Sequence, residues 1–181
     1  MVNNIAFISG VHGVGKTTLC TKLNNDLNIE HYSASAIIKN KLGLVKNMQK
    51  IAKNVDSNQP TLINALNNDI HANEIILDGH FTLFTKNHEI TKISVDVFAM
   101  MPLKIIVLLT CDATEIVNRL SQRDKHKHPL SKIIELQEAE KKQALYISNQ
   151  LNIPLIQIAT DKSFNYIELL NIISNKLTKG K

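Results

Sequence analysis

The chain has 181 residues, of which 44% are hydrophobic and 20% charged, and its formal charge is +5. That length suits one domain with a sizeable core. No apolar run reaches the ~18 residues that a membrane-crossing helix needs, so no membrane partner is expected. The two cysteines, Cys20 and Cys111, form no C-x-x-C pair. A zinc ribbon or disulfide framework is therefore disfavoured, and both read as small core residues. The opening MVNNIAFISG has no basic n-region and too short an apolar run for a signal peptide, so a cytoplasmic protein is expected. The basic pI of about 9.2 comes from scattered lysines with no aromatic-interleaved run. A nucleic-acid surface is not favoured on that pattern, and an anionic small molecule would use the same charge.

In chain order, strand and helix patterns alternate, which predicts an α/β fold with a mainly parallel sheet. NIAFIS is a short buried strand. Lys16 to Leu27 reads as a helix with Leu19, Leu23 and Leu27 on one face. IEHYS is a second strand, and helices are expected over Ala34 to Lys41 and Val45 to Lys53. Pro60 should open the next helix, which runs to about Ala72. Strands EIILD and KIIVLLT follow, and HFTLFTKNHEITKIS between them alternates like a hairpin. Asp112 is a plausible N-cap for a helix ending near Arg123. A long helix from about Ser131 to Leu151, the strand PLIQI and a helix from about Ser163 to Leu177 complete the chain. No internal repeat or low-complexity linker interrupts it.

The stretch FISGVHGVGKTTL holds the most specific signal. Gly10-x-x-x-x-Gly15-Lys16-Thr17 has the spacing of a phosphate loop, between a strand and a helix as that motif requires. Its glycines allow backbone N–H groups to turn inward, and the helix adds its unpaired N–H groups and positive dipole end. The loop from Gly10 through His12, Gly13, Val14 and Gly15 to Lys16, Thr17 and Thr18 is read as the ATP site. Lys16 reaches the β- and γ-phosphates, and the Thr17 hydroxyl ligates Mg²⁺. His12, at the apex, either touches the ligand or faces solvent.

Four further features narrow the choice. No N-K-x-D segment is present, which disfavours a GTPase. Asp78 ends a strand in IILDGH, where an acid can hold Mg²⁺ through water or simply cap a turn. The chain has only two arginines, Arg119 and Arg123, against nineteen lysines. They lie four apart on one helix face, beside QRDKHKHPLS. Guanidinium offers planar stacking and bidentate phosphate contact that ammonium lacks, although two solvated surface charges would look the same. QRDKHKHPLS suits a short mobile flap over phosphates, and His126 and His128 within it lack partners for a metal site. In the long helix, Glu135, Glu138 and Glu140 beside Lys141 and Lys142 read as a solvated face with pairs such as Glu138–Lys142.

These segments together resemble the adenylate kinase-like, or nucleoside monophosphate kinase, family over most of the chain. GVHGVGKTT is similar to the family's phosphate loop, ILDGH to its D-G-F or D-x-H strand end, and EIVNRLSQRD to the helix that enters its lid. The archaeal-type adenylate kinases and short-lid relatives, among them a ribosome-assembly ATPase, are the nearest branches. The resemblance implies a three-layer fold with a five-stranded parallel sheet of order 2-3-1-4-5, in a single domain spanning 1–181. It implies an acceptor-binding region at about 33–72 and a short lid at about 119–132. It implies that Arg119 lies near adenine and phosphates, that Arg123 reaches the transferring phosphoryl group, and that Ala159 to Asp161 borders the adenine. Ser33, Ser35 and Lys39 would stand at the acceptor entrance. His80, just after the Asp-Gly pair, either orients an acceptor or a water or makes a plain structural hydrogen bond.

Two departures bear on the acceptor. Lys39 and HFTL stand where adenylate kinases carry arginines, so the usual clamp on an acceptor phosphate is missing. The glycine clusters of shikimate-type kinases are also absent. The expectation is transfer of the ATP γ-phosphoryl group to a small acceptor, foremost a nucleoside monophosphate, by a monomer or homodimer. An ATP-driven switch acting on a protein or RNA partner, and a kinase for a non-nucleotide acceptor, are the alternatives.

Overall fold

The computed structural model of the chain describes residues 2–44, 55–85, 89–123 and 129–178. The expected helix over Val45 to Lys53 and residues 124–128 of the expected lid, with the histidines at 126 and 128, lie outside the described residues.

The first half of the chain runs β1 (Asn4–Ser9), α1 (Lys16–Leu27), β2 (His31–Ser33), α2 (Ala34–Leu44), α3 (Val55–Asn68) and β3 (Glu74–Gly79). A two-stranded antiparallel hairpin follows, β4 (Thr82–Phe84) and β5 (Ile90–Lys92), then the short α4 (Val95–Ala99). The second half is β6 (Leu103–Thr110), α5 (Ala113–Arg123), α6 (Leu130–Leu151), β7 (Leu155–Ala159) and α7 (Tyr166–Thr178). The main sheet has the order β2-β3-β1-β6-β7, and every pairing in it is parallel. Numbered among themselves, its five strands run 2-3-1-4-5. The phosphate loop leaves the carboxyl end of the central strand β1, the edge at which open parallel sheets bind ligands.

Strand residues alternate between two cores, which makes three layers. Ala6, Ile8, Ile76, Val107, Leu109 and Ile158 face α1, α5, α7 and the start of α6. Ile5, Phe7, Ile75, Leu77, Ile106 and Leu108 face α3, α4 and the later turns of α6. In this second core the rings of Phe7, Phe81 and Phe98 pack with centroids 4.8–5.5 Å apart.

Several boundaries differ from the sequence expectation. Pro60 lies inside α3 rather than opening it. The helix forfeits one hydrogen bond there, and burial of Leu62, Ala65 and Leu66 favours continuing it. Helix α7 begins at Tyr166, three residues later than read, because Asn165 takes the capping role: its Oδ1 accepts the Glu168 N–H at 3.1 Å. Helix α4 is five residues long, too short for periodicity to reveal, and Ser94 caps it. Asp112 caps α5 as expected, its Oδ1 accepting from Thr114 N at 2.8 Å and Glu115 N at 3.3 Å. Both cysteines are buried.

Candidate phosphate-binding site

The loop between β1 and α1 closes on itself around Lys16. Its Nζ donates to the carbonyl oxygens of Gly10 at 2.6 Å and Val11 at 3.2 Å. Gly10 has φ 140°, and a Cβ there would lie 2.6 Å from the Leu109 carbonyl oxygen, so conformation and space both demand glycine. Gly13 and Gly15 are also in the positive-φ region. Thr17 and Thr18 open α1 and are exposed. Burial pulls the Lys16 pKa down to about 8, against the opposing pull of the Asp78 and Glu140 carboxylates.

A cleft of about 900 Å³ opens over this loop. It is walled by the loop from His12 to Thr18, by Asp78 near the end of β3 and His80 just beyond it, by Arg119 and Arg123 of α5, and by Thr160, Phe164 and Tyr166 after β7. The two arginines therefore share a wall with Lys16, and Arg119 Nη1 donates to the Gly13 carbonyl at 3.4 Å. Thr160 Oγ1 donates to the Val14 carbonyl at 2.8 Å and so ties the segment after β7 to the loop. Of the residues expected to border adenine, Thr160 lines the cleft, whereas Ala159 lies back in β7, where it pairs with Thr110.

The carboxyl end of β3 carries two histidine contacts. Asp78 Oδ2 lies 2.7 Å from His31 Nε2, on the neighbouring strand β2. His80 packs its ring on His12 with centroids 4.3 Å apart. Burial, and then the neighbouring Lys16 and His12 side chains, hold the His80 pKa well below its ordinary value. Exposed His12 thus lines the cleft in contact with His80. Ser33 and Ser35, whose hydroxyls are 3.0 Å apart, also line the cleft. Lys39 is exposed on α2 and is not among the cleft-lining residues.

Behind Asp78 a second, smaller pocket of about 80 Å³ lies between β3 and helices α2 and α3. Ser35, Gln59, Asp78 and His80 supply its polar groups, and Phe7, Ile38, Leu62, Leu83, Phe98 and Met101 give it apolar walls. Asp78, His80 and Ser35 face both cavities.

Glu140 requires a correction. It is not on a solvated face but 1% exposed, on the inward stripe of α6 with Leu136, Gln143, Ala144 and Ile147. Its carboxylate accepts from the backbone N–H groups of Gly10 (3.2 Å), Phe81 (2.9 and 3.0 Å) and Thr82 (2.7 Å), and from the Thr82 hydroxyl (2.7 Å). One side chain thus clamps the start of the phosphate loop to the segment that carries His80. Burial raises its pKa, while these hydrogen bonds and Lys16 oppose the rise. The sequence signal was available: Glu140 falls at the helical spacing of the apolar stripe. His31, Gln59 and Phe164 were also missed, and no local pattern marks them.

The strand–glycine loop–helix geometry, the buried lysine and the parallel sheet define a phosphate-loop α/β protein. An AAA domain family model matches residues 9–137, and the chain belongs to that family. No curated protein matches the sequence. Among solved structures, the fold is similar to shikimate kinase from Acinetobacter baumannii in complex with shikimate, at 16% identity, a TM-score of 0.61 and coverage of 100% of this chain and 96% of that one. It is also similar to a candidate kinase from Chloroflexus aurantiacus, at 15% identity, a TM-score of 0.57 and coverage of 99% and 98%. At these identities the likeness is one of fold. No helix among the described residues is long and apolar enough to cross a membrane.

Proposed function

We propose that the protein is an ATP-dependent phosphotransferase that moves the γ-phosphoryl group to a small acceptor. The observation that carries this reading is the shared cleft: the loop lysine, two arginines and the Asp78–His80 strand end surround one space. The loop N–H groups and the α1 N-terminus bind the phosphates, and the Lys16 ammonium moves from the Gly10 and Val11 carbonyls onto them. Thr17 and Asp78, which line the same cleft, fit a hard oxygen-liganded ion. Mg²⁺ held there would neutralise charge on the phosphates. Arg119 and Arg123 stabilise charge on the transferring group, and Thr160 and Phe164 flank the base. His80, which lines the same cleft, orients the acceptor hydroxyl or phosphate. Positioning and electrostatics carry the rate, as phosphoryl transfer requires.

The adenylate kinase resemblance favours a nucleoside monophosphate as acceptor, entering past Ser33 and Ser35 within the region 33–72. One observation favours a second reading, a kinase for a non-nucleotide acceptor. The pocket behind Asp78 has apolar walls and, among the described residues, no lysine or arginine lining it, Lys39 included. A panel of nucleoside monophosphates, nucleosides and uncharged alcohols, scored by acceptor-stimulated ADP formation, separates the two. Stimulation by monophosphates alone supports the first reading, and stimulation by uncharged hydroxyl compounds alone supports the second. Slow hydrolysis that no member stimulates contradicts both and points to a macromolecular partner.

A further inference from the structure

Three side chains from three different elements converge at one point of the fold. Cys20 lies on α1, His31 begins β2, and Asp78 lies near the end of β3. One donor atom of each lies within 4.8 Å of the other two: the thiol sulfur, an imidazole nitrogen and a carboxylate oxygen. Cys20 is 0% exposed and Asp78 8%, while the His31 side chain keeps an 18% opening. The parallel pairing of β2 with β3, Ser33 opposite Asp78, places the imidazole and the carboxylate side by side.

We infer that Cys20, His31 and Asp78 form a binding site for one soft divalent cation of the zinc class, distinct from the hard ion that accompanies phosphate. The donor set carries the argument. Thiolate with imidazole and carboxylate suits zinc-class ions, whereas magnesium takes oxygen donors. Three protein ligands leave a fourth position for water. Metal–ligand distances of about 2.0–2.3 Å bring tetrahedral donors to roughly 3.3–3.7 Å from one another, so closure moves the most distant donors by about 1 Å. The His31–Asp78 hydrogen bond accounts for two members without a metal. It does not account for a buried thiol that faces this polar pair rather than hydrocarbon alone. Lys16 is the cation that faces both Asp78 and Cys20, and its amine is held aside by the Gly10 and Val11 carbonyls. On binding, Cys20 releases its thiol proton to solvent and the three donors each give a lone pair. No other bond breaks and no redox change is involved. An ion held there takes Asp78 from the nucleotide side of the cleft and inhibits turnover, a consequence that rests on the function proposed above.

Cobalt(II) titration of the intact protein tests the site, since cobalt reports thiolate ligation by charge-transfer absorption and tetrahedral geometry by its visible bands. The expected result is one cobalt per chain with both signatures, displaced by zinc. Cys20→Ser should abolish the charge-transfer band, and Cys111→Ser should keep it. His31→Gln, at the most open position, should weaken binding by more than the roughly 10- to 100-fold that loss of an outer partner costs. No charge-transfer band in the unmodified protein, or a band that survives Cys20→Ser, overturns the inference. Binding of Mg·ADP to the same preparations separates this from the function: nucleotide binding without the cobalt site sinks the inference alone, and a cobalt site without nucleotide binding sinks the proposed function alone. Zinc inhibition of turnover that persists equally in Cys20→Ser overturns the regulatory consequence.

Discussion

Glu140→Ala is the most informative perturbation of the scaffold. In the folded chain its carboxylate satisfies three backbone N–H groups and one hydroxyl, at Gly10, Phe81 and Thr82. Truncation leaves these donors buried without a partner, and a buried donor that loses a charged acceptor costs about 1–3 kcal/mol. The contributions are not additive, because the donors share one acceptor and relax together, and single substitutions rarely exceed ~5 kcal/mol. A loss of about 3–5 kcal/mol is expected, the range for removing one partner from a buried charged network. For a chain of this size each kcal/mol moves Tm by about 2–4 °C, so the melting point should fall by roughly 6–20 °C. Glu140→Gln keeps one acceptor oxygen but turns an NH₂ toward donors, and should fall between the variant and the parent. Urea denaturation followed by circular dichroism, with thermal melts alongside, gives the values. A Glu140→Ala loss under about 1 kcal/mol would refute the clamp.

Three other outcomes follow from the same geometry. Lys16 has a folded pKa of about 8 against an ordinary 10.5, so the unfolded chain binds more protons between those values. Its contribution to stability should therefore rise as pH climbs from about 8 to 10.5, and that rise should vanish in Lys16→Met. Phosphate binding restores the ammonium, so ADP should bind with proton uptake near pH 8, measurable by calorimetry in two buffers of different ionisation enthalpy. Gly10→Ala places a Cβ 2.6 Å from the Leu109 carbonyl at a φ of 140°, and should lower stability by more than the ~1 kcal/mol of a tolerated glycine substitution, seen as an earlier denaturation midpoint. Arg123→Lys keeps the charge but loses the planar fork. It should lower kcat at least ~10-fold, about 1.4 kcal/mol of transition-state stabilisation, with ADP affinity little changed.

What the sequence disclosed and what it concealed divide along contact range. The unit β1–loop–α1 was legible to the residue because its signals are contiguous: an apolar run, glycines at fixed spacing, then helical periodicity. The order of the sheet was legible only through family resemblance, since strand pairing is a tertiary choice. Glu140 was misread because its partners lie 58 to 130 residues away in the chain. A run of charged neighbours from Glu138 to Lys142 hid the one member that turns inward. His31 gives no local sign of its contact with Asp78, which the β2–β3 register creates. Pro60 and Ser163 misled because each fits a helix start locally, while packing and the Asn165 cap decided the actual boundaries.

The fate of the γ-phosphoryl group tests the central claim most directly. In a single turnover with Mg²⁺ and ATP labelled at the γ-position, and with the acceptor panel present, the account predicts label on one acceptor and little as inorganic phosphate. That transfer should be lost in Lys16→Ala and slowed in Arg123→Lys. Label released only as inorganic phosphate, at a rate no acceptor changes, or transfer undiminished in Lys16→Ala, would contradict it.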